Sequence, residues 1–278
     1  MERQRSLRPL LLAGLLGIFL VFLLFPLYWT IITSFKTSLE IYRIPPQWIP
    51  LDPTGENYQR VLQTNAFMRY LTNNFLVAGV VTMLSLFASV FAGYALSRYP
   101  GRVNKIVSLG LLSTQMYPVI GIIIALYTIF RTYGILNTHQ GLVLAITAHT
   151  IPFCTWLIKG FFDDVPRSIE ESAKIDGAGR FTILFWVVIP LAKPGLLAIG
   201  LYTFMQSWDD FIFGITLILS DRLRTLSAGV ALRFLGEVAT DWGLVSTVAV
   251  LGVLPMIFLI FFFQRYMVKG LTAGAVKG

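Results

Sequence analysis

The stretch EESAKIDGAGRFTILFWVVIP, Glu170 to Pro190, decides the reading of the chain because it interrupts a sequence that is otherwise strongly apolar. Two acids, a lysine, an Asp-Gly pair and an arginine come first, and the apolar run from Phe181 to Ile189 follows. Asp176-Gly177 reads as a helix stop, since glycine adopts the left-handed conformation of a helix C-terminus without steric cost. Upstream, Asp163, Asp164 and Pro166 offer one helix start, and Ser168 with Glu171 forms a competing S-x-x-E capping box. Glu170 and Lys174 stand i,i+4 in the favourable order. Val165, Ile169 and Ala173 make a thin apolar stripe opposite the charges. The expectation is a short exposed helix, a glycine bend and a buried helix, with Pro190 and Pro194 then redirecting the chain. Physics alone leaves two uses open for the exposed helix: resting on lipid headgroups, or filling a groove on another protein. The narrow, small-sided stripe lacks interfacial aromatics and suits the groove.

The surroundings are those of a polytopic membrane protein. Of 278 residues, 56% are hydrophobic and 13% charged, with a mean hydropathy of +0.73. Each crossing of about 30 Å of hydrocarbon needs roughly 20 apolar residues. Six spans are expected: Leu10 to Ser34, Asn74 to Ser97, Ile106 to Phe130, Gly141 to Phe161, Gly195 to Leu219 and Leu244 to Gln264. The first follows the basic MERQRSLR and has an apolar run too long for a signal peptide, so it reads as a retained helix. With both termini placed in the cytoplasm, 14 of the 22 basic residues and six of the 14 acids fall on that side, which then holds the whole net charge of +8. The pI of about 9.7 therefore reflects topology, not a nucleic-acid partner. The whole chain, 1–278, reads as one transmembrane domain, with 162–194 its longest cytoplasmic loop.

Ionisable groups at membrane depth are functional candidates by default. Trp208-Asp209-Asp210 lies on the fifth expected span, with Asp209 about 21 Å beyond Gly195 at 1.5 Å per residue. Tyr202, Thr203 and Gln206 share that helix and offer hydroxyl and amide groups, and Trp208 offers an aromatic face. A later span start would instead leave both acids at the outer headgroups. Ser85, Ser89, Gly93 and Ser97 repeat at i,i+4, the pattern of close helix packing. His139 and His149 lack neighbouring ligands, so no metal is expected, and no cofactor or catalytic residue is either. Lone Cys154 reads as a small buried hydrophobe. The outer loop from Lys36 to Arg69, with Pro45-Pro46 and Pro50, suits contact with a soluble protein and not a long helix.

The pattern E-A-A-x3-G-x9-I-x-L-P marks membrane subunits of bacterial ATP-binding-cassette importers, and Glu171-Ser172-Ala173, Gly177 and Val187-Val188-Ile189-Pro190 resemble it. The likeness extends to the maltose-type sugar permease family through GENYQRVL, YLTNNFLVA, GYALSRYPGR, YGILNTHQGL, PFCTWLIKGFFDDVPRSIEESAKIDGA and FFQRYMVKGLTAGAVKG. It implies the type I importer permease fold: an all-α integral membrane protein with six transmembrane helices in a prokaryotic cytoplasmic membrane. It also implies a second, homologous permease subunit, two ATP-binding ATPase subunits and an extracytoplasmic solute-binding protein. Docking on the ATPase then falls to Glu170, Glu171, Ser172, Ala173, Lys174, Asp176, Gly177 and Ala178, and the substrate path to Tyr202, Thr203, Gln206, Trp208, Asp209 and Asp210. The sequence has no Gly-Lys dipeptide and so no G-x-x-x-x-G-K-[ST] phosphate loop of its own. The alternative is a secondary transporter or channel driven by an ion gradient, with Asp209 and Asp210 as coupling acids; it leaves the long charged loop without a purpose.

Overall fold

The computed structural model of the chain describes residues 2–99, 101–234 and 240–275. Among these, all regular structure is helical: α1 (Glu2–Ser34), α2 (Ser38–Ile41), α3 (Glu56–Gln63), α4 (Asn65–Arg98), α5 (Arg102–Thr114), α6 (Val119–Thr132), α7 (His139–Asp163), α8 (Arg167–Ile175), α9 (Arg180–Ile183), α10 (Ile189–Trp208), α11 (Ile212–Leu217), α12 (Leu226–Phe234) and α13 (Trp242–Ala275). A π-helical turn, Leu184–Val188, joins α9 to α10. Among the described residues, five helical stretches are long and apolar enough to cross a membrane, and the bent pair α5–α6 makes a sixth crossing if it counts as one span.

Three of the expected spans differ from those observed. The second begins nine residues earlier, because α4 starts at Asn65 and takes in the end of the expected outer loop. The third is broken: α5 and α6 meet at 94°. Pro118 lacks an N–H and disfavours helical geometry at Tyr117, so the helix stops at Gln115 and restarts at Val119. The fifth starts earlier and ends sooner, running from Arg180 to Trp208. Pro190 does not redirect it, because the widened π turn precedes the proline, and Pro194 lies inside α10. The apolar run before Pro190 is buried on one side only. Ile183, Leu184 and Val188 are buried, while Phe181, Phe185 and Trp186 are exposed.

The chain divides into two compact units. One comprises the segment through Met68 with Val230–Leu254, the other Arg69–Gly229 with the segment from Pro255. In the first, the apolar side chains of α1 from Leu11 to Leu24, glycines and Ala13 aside, are exposed. The segment after α1 forms two short helices, α2 and α3, in place of a long one. It is fastened by polar groups: Glu40 accepts from Leu51 N (2.7 Å) and Asp52 N (3.2 Å), and Asn57 Nδ2 donates to Ser34 O and Lys36 O at 3.1 and 3.0 Å. Burial opposes ionisation of Glu40, yet these backbone donors, with Thr37 N and the Lys36 charge, hold its carboxyl below the usual range. Burial lowers Lys36, partly offset by Glu40.

In the second unit, α7 is central. One core joins Val77 and Val81 of α4, Ile123 and Phe130 of α6, Leu142 and Ile146 of α7, and Phe213 and Leu217 of α11. The other joins Cys154, Ile158 and Phe162 of α7 to Ile183, Leu184, Val188 and Ala192. Lipid tails are as apolar as leucine, so helices in a membrane associate through close packing and interhelical hydrogen bonds. The small-residue ladder of α4 supplies both. Ser85 Oγ meets Thr150 Oγ1 at 2.7 Å, Thr155 Oγ1 donates to Ser89 Oγ at 3.1 Å, and Ser97 Oγ donates to Asp163 Oδ1 at 2.5 Å. At Gly93 an added Cβ would lie 2.9 Å from Ile158 Cγ2. Bonds of this kind average about 0.6 kcal/mol each, so the seam depends on their number.

Candidate functional site

Two sites emerge in the second unit: the exposed helix α8 and a cavity beside the end of α10. Helix α8 begins after Pro166, whose fixed φ suits a helix entry; the Ser168–Glu171 capping box does not form. Its end is a Schellman motif. Gly177 has φ +83°, Gly177 N donates to Lys174 O at 3.0 Å, and Ala178 N donates to Ala173 O at 2.9 Å. This stop was legible in the sequence.

Glu170 was not legible. It does not pair with Lys174 on the outer face; it turns inward, 3% exposed, and accepts from Arg98 Nε at 2.5 Å and Tyr94 Oη at 3.0 Å. Val165 is buried and Ala173 and Ala178 are half-buried, whereas Ile169 of the expected stripe is 41% exposed. The surface left open by α8 and its stop therefore comprises Glu171, Ser172, Lys174, Asp176 and Gly177, flanked by Ile169 and Ile175. Charge pairing across 72 residues leaves no trace in helical periodicity, which is why Arg98 and Tyr94 escaped the sequence reading.

The cavity, of about 410 Å³, is lined by Gln115, His149, Phe153, Tyr202, Gln206 and Asp209 among others. Tyr202, Gln206, Asp209 and Asp210 of the expected path meet there; Thr203 and Trp208 do not line it. Thr203 is fully buried, its hydroxyl donating to Ile199 O at 2.8 Å and meeting Cys154 Sγ at 3.1 Å. Trp208 is 3% exposed, packed edge-on to Phe75 and stacked with Phe204. The helix ends at Trp208, so Asp209 occupies its C-terminal cap, and Asp210 lies just before Phe211, the N-terminal cap of α11. Asp210 Oδ2 accepts from Gly214 N at 2.9 Å and Oδ1 from Phe213 N at 3.4 Å. The Asp209 carboxylate has no hydrogen-bond or ion-pair partner among the described residues.

Residues missed from sequence come from the other helices. The break before Pro118 places Gln115 at the cavity, its amide donating to His149 O at 3.1 Å. Phe153 lies 5.1 Å from the Tyr202 ring, and Gln206 Nε2 donates to Tyr202 Oη at 2.6 Å. Aromatic faces beside amide, phenol and carboxylate groups can hold a molecule whose surface alternates apolar faces with hydroxyls. Among the described residues, no group of three or more His, Cys, Asp or Glu could hold a metal ion.

Helices long and apolar enough to cross a membrane, a cavity lined by aromatic and polar side chains, and an exposed loop helix fit the class of membrane transport permeases. The family model of binding-protein-dependent transport system inner membrane components matches residues 85–273. A sulfoquinovosyl glycerol transport system permease protein, SmoH of Agrobacterium fabrum, is 36% identical over 94% of this chain and 92% of its own. The trehalose/maltose transport system permease protein MalG of Thermococcus litoralis is 33% identical over the full length of both. A subunit of a bacterial ABC transporter involved in the import of the acidic polysaccharide alginate superposes with a TM-score of 0.84 at 23% identity, covering 95% of this chain and 98% of that one. The chain belongs to the binding-protein-dependent transport system inner membrane components, and is of their maltose-type, MalG-like kind.

Proposed function

We propose that this chain is one of two similar permease subunits of an ATP-driven importer and forms half of the path for a carbohydrate-like solute. The observation that carries this reading is the presence, in one unit, of an aromatic and polar cavity containing an unpartnered carboxylate and of an exposed, glycine-stopped helix at the family motif. The substrate class is supported by relatives whose names specify sulfoquinovosyl glycerol and trehalose or maltose. In this reading the whole chain works as one transmembrane domain with both termini cytoplasmic, and residues 162–194 form its coupling loop. The exposed face of α8, with Glu171, Ser172, Lys174, Asp176 and Gly177, docks on one of two ATPase subunits, which hydrolyse the ATP. A soluble binding protein delivers solute from the other side. Tyr202, Gln206 and Asp209 contact solute in transit, while Asp210 holds the start of α11. Nucleotide-driven closure of the ATPases moves α8 and switches which side the cavity faces, a two-state element biased by a partner's ligand.

Co-purification tests the assembly. The chain should be isolated with a second permease subunit and two ATPase subunits, and in liposomes its binding protein should stimulate hydrolysis. Solute transport by the chain without any ATPase would refute the proposal.

A further inference from the structure

We propose that Arg98 is a positioning residue for energy coupling: through buried Glu170 it ties helix α8 to the end of α4, so that displacement of α8 is delivered to the α4–α7 pair. The inference rests on the reading of α8 as the ATPase-docking helix and adds a route independent of Gly177.

Every nitrogen of the Arg98 guanidinium is engaged. Nε donates to Glu170 Oε1 at 2.5 Å, one terminal nitrogen to Ser97 Oγ at 2.8 Å and the other to Val165 O at 3.2 Å. The side chains of Arg98 and Glu170 are 9% and 4% exposed. Tyr94 Oη takes the second Glu170 oxygen, and Arg167 donates to Ser97 O at 3.2 Å. Ser97 Oγ donates to Asp163 Oδ1, whose other oxygen accepts from Lys159 at 2.5 Å. One residue thus holds the turn between α7 and α8, at Val165, together with the helix that follows it, at Glu170.

Stability does not require this arrangement. Two charges withdrawn from water are no more stabilising than a well-packed apolar pair, but removing one partner strands the other. What the pair adds is geometry. A planar guanidinium offers donors in a fixed fork that a lysine ammonium does not reproduce. At the other end of α8, Gly177 has no atom within 4 Å of where a Cβ would stand. The hydrogen bonds of that end run within the helix stop itself, whereas those of Glu170 run to α4.

The test uses the complete complex with its binding protein in liposomes, measuring solute imported per ATP hydrolysed and ATPase co-purification. Arg98→Lys is expected to retain the ATPases and keep stimulated hydrolysis within about twofold, while import per ATP falls about tenfold, within the usual span of coupling between linked sites. Arg98→Cys with Glu170→Cys, in a Cys154→Ala background, should behave likewise and recover when bridged by bismaleimidoethane. If Arg98→Lys does not accumulate, Arg98→Met with Glu170→Leu leaves no buried charge and should assemble with the same loss of coupling. Unchanged import per ATP in the variants that assemble would overturn the proposal, as would loss of ATPase co-purification, which would make the tie a mere shaper of the docking face. Ile175→Asp on the exposed face separates the two readings: ATPases retained by that variant would refute docking itself, and the tie with it.

Discussion

Asp209 and Asp210 are adjacent and chemically identical, yet their carboxylates have different surroundings, and substitution by asparagine separates them. Asp209 presents an unpartnered carboxylate to the cavity, so Asp209→Asn removes a charged acceptor available to solute hydroxyls. A hydrogen bond to a charged group contributes about 1.5–3 kcal/mol and one to a neutral group about 0.5–1.5, so an asparagine that keeps its oxygen forfeits about 1–1.5 kcal/mol and lowers import by roughly 5- to 13-fold. Asp210 already accepts from Phe213 N and Gly214 N. Asparagine keeps a side-chain oxygen and caps a helix about as well as aspartate, so Asp210→Asn should leave import within about threefold. Asp210→Ala loses the cap and should destabilise by about 0.5–2 kcal/mol. The assay is uptake of radiolabelled solute by proteoliposomes at fixed subunit content, with thermal unfolding of the purified complex in parallel. An Asp210→Asn defect larger than that of Asp209→Asn, at equal stability, would show that the assignment is reversed.

Four further outcomes follow from single contacts. Gly177 sits at φ +83°, so Gly177→Val forces a β-branched residue into a conformation costing about 1–2 kcal/mol; normal membrane abundance with lost stimulated hydrolysis is expected. A Cβ at Gly195 would meet the Phe161 ring at 2.3 Å, so Gly195→Ala should lower stability by about 1–3 kcal/mol, read as a fall in the midpoint of thermal unfolding. In a Cys154→Ala background, cysteines at Tyr202 and Gln206 should react with a small water-soluble maleimide, and those at Thr203 and Trp208 should not. Glu40 is held below the usual carboxylate range, so its contribution is complete above that range and lost as pH falls through the lowered value; protease protection of residues 36–55 should drop on such acidification, and Glu40→Gln should abolish that dependence.

What the sequence made legible was local. The Asp-Gly stop after α8 is a property of one residue's conformational freedom, and the structure places Gly177 in the left-handed region at the end of a Schellman motif. The serine ladder of α4 was legible for the same reason, as an i,i+4 spacing of small residues. Features set by distant partners were not. Glu170 reads as part of an exposed helix because it stands i,i+4 from Lys174, whereas burial against Arg98 depends on how α4 meets α8. The end of the fifth span at Trp208 was missed because hydropathy runs on through Ile212 to Leu219, and only the capping of α11 by Asp210 reveals a new helix. Trp208 and Thr203 shared a helix with true cavity residues, but they face Phe75 and Cys154 instead.

The loop and the cavity are linked by one helix. Helix α7 carries His149 and Phe153 to the cavity and Asp163 to the Arg98 network, and at 1.5 Å per residue His149 and Asp163 lie about 21 Å apart. Between them α7 is joined to α4 at Thr150, Thr155 and Ile158, so the two move as a pair wherever those bonds hold. Under the proposed coupling, a push on α8 that enters through Glu170 would shift the cavity wall made by α7, and one that enters through Gly177 would shift the wall made by α10. The first wall carries His149 and Phe153, the second Tyr202 and Gln206. If both routes operate, loosening the α4–α7 seam should weaken only the first. Ser89→Ala removes the acceptor of Thr155 without adding bulk, so it should reduce nucleotide-dependent changes in labelling of a cysteine at Phe153 while leaving those at Tyr202 intact. Equal loss at both positions would mean that the bundle responds as a single body, with no division of labour between the two walls.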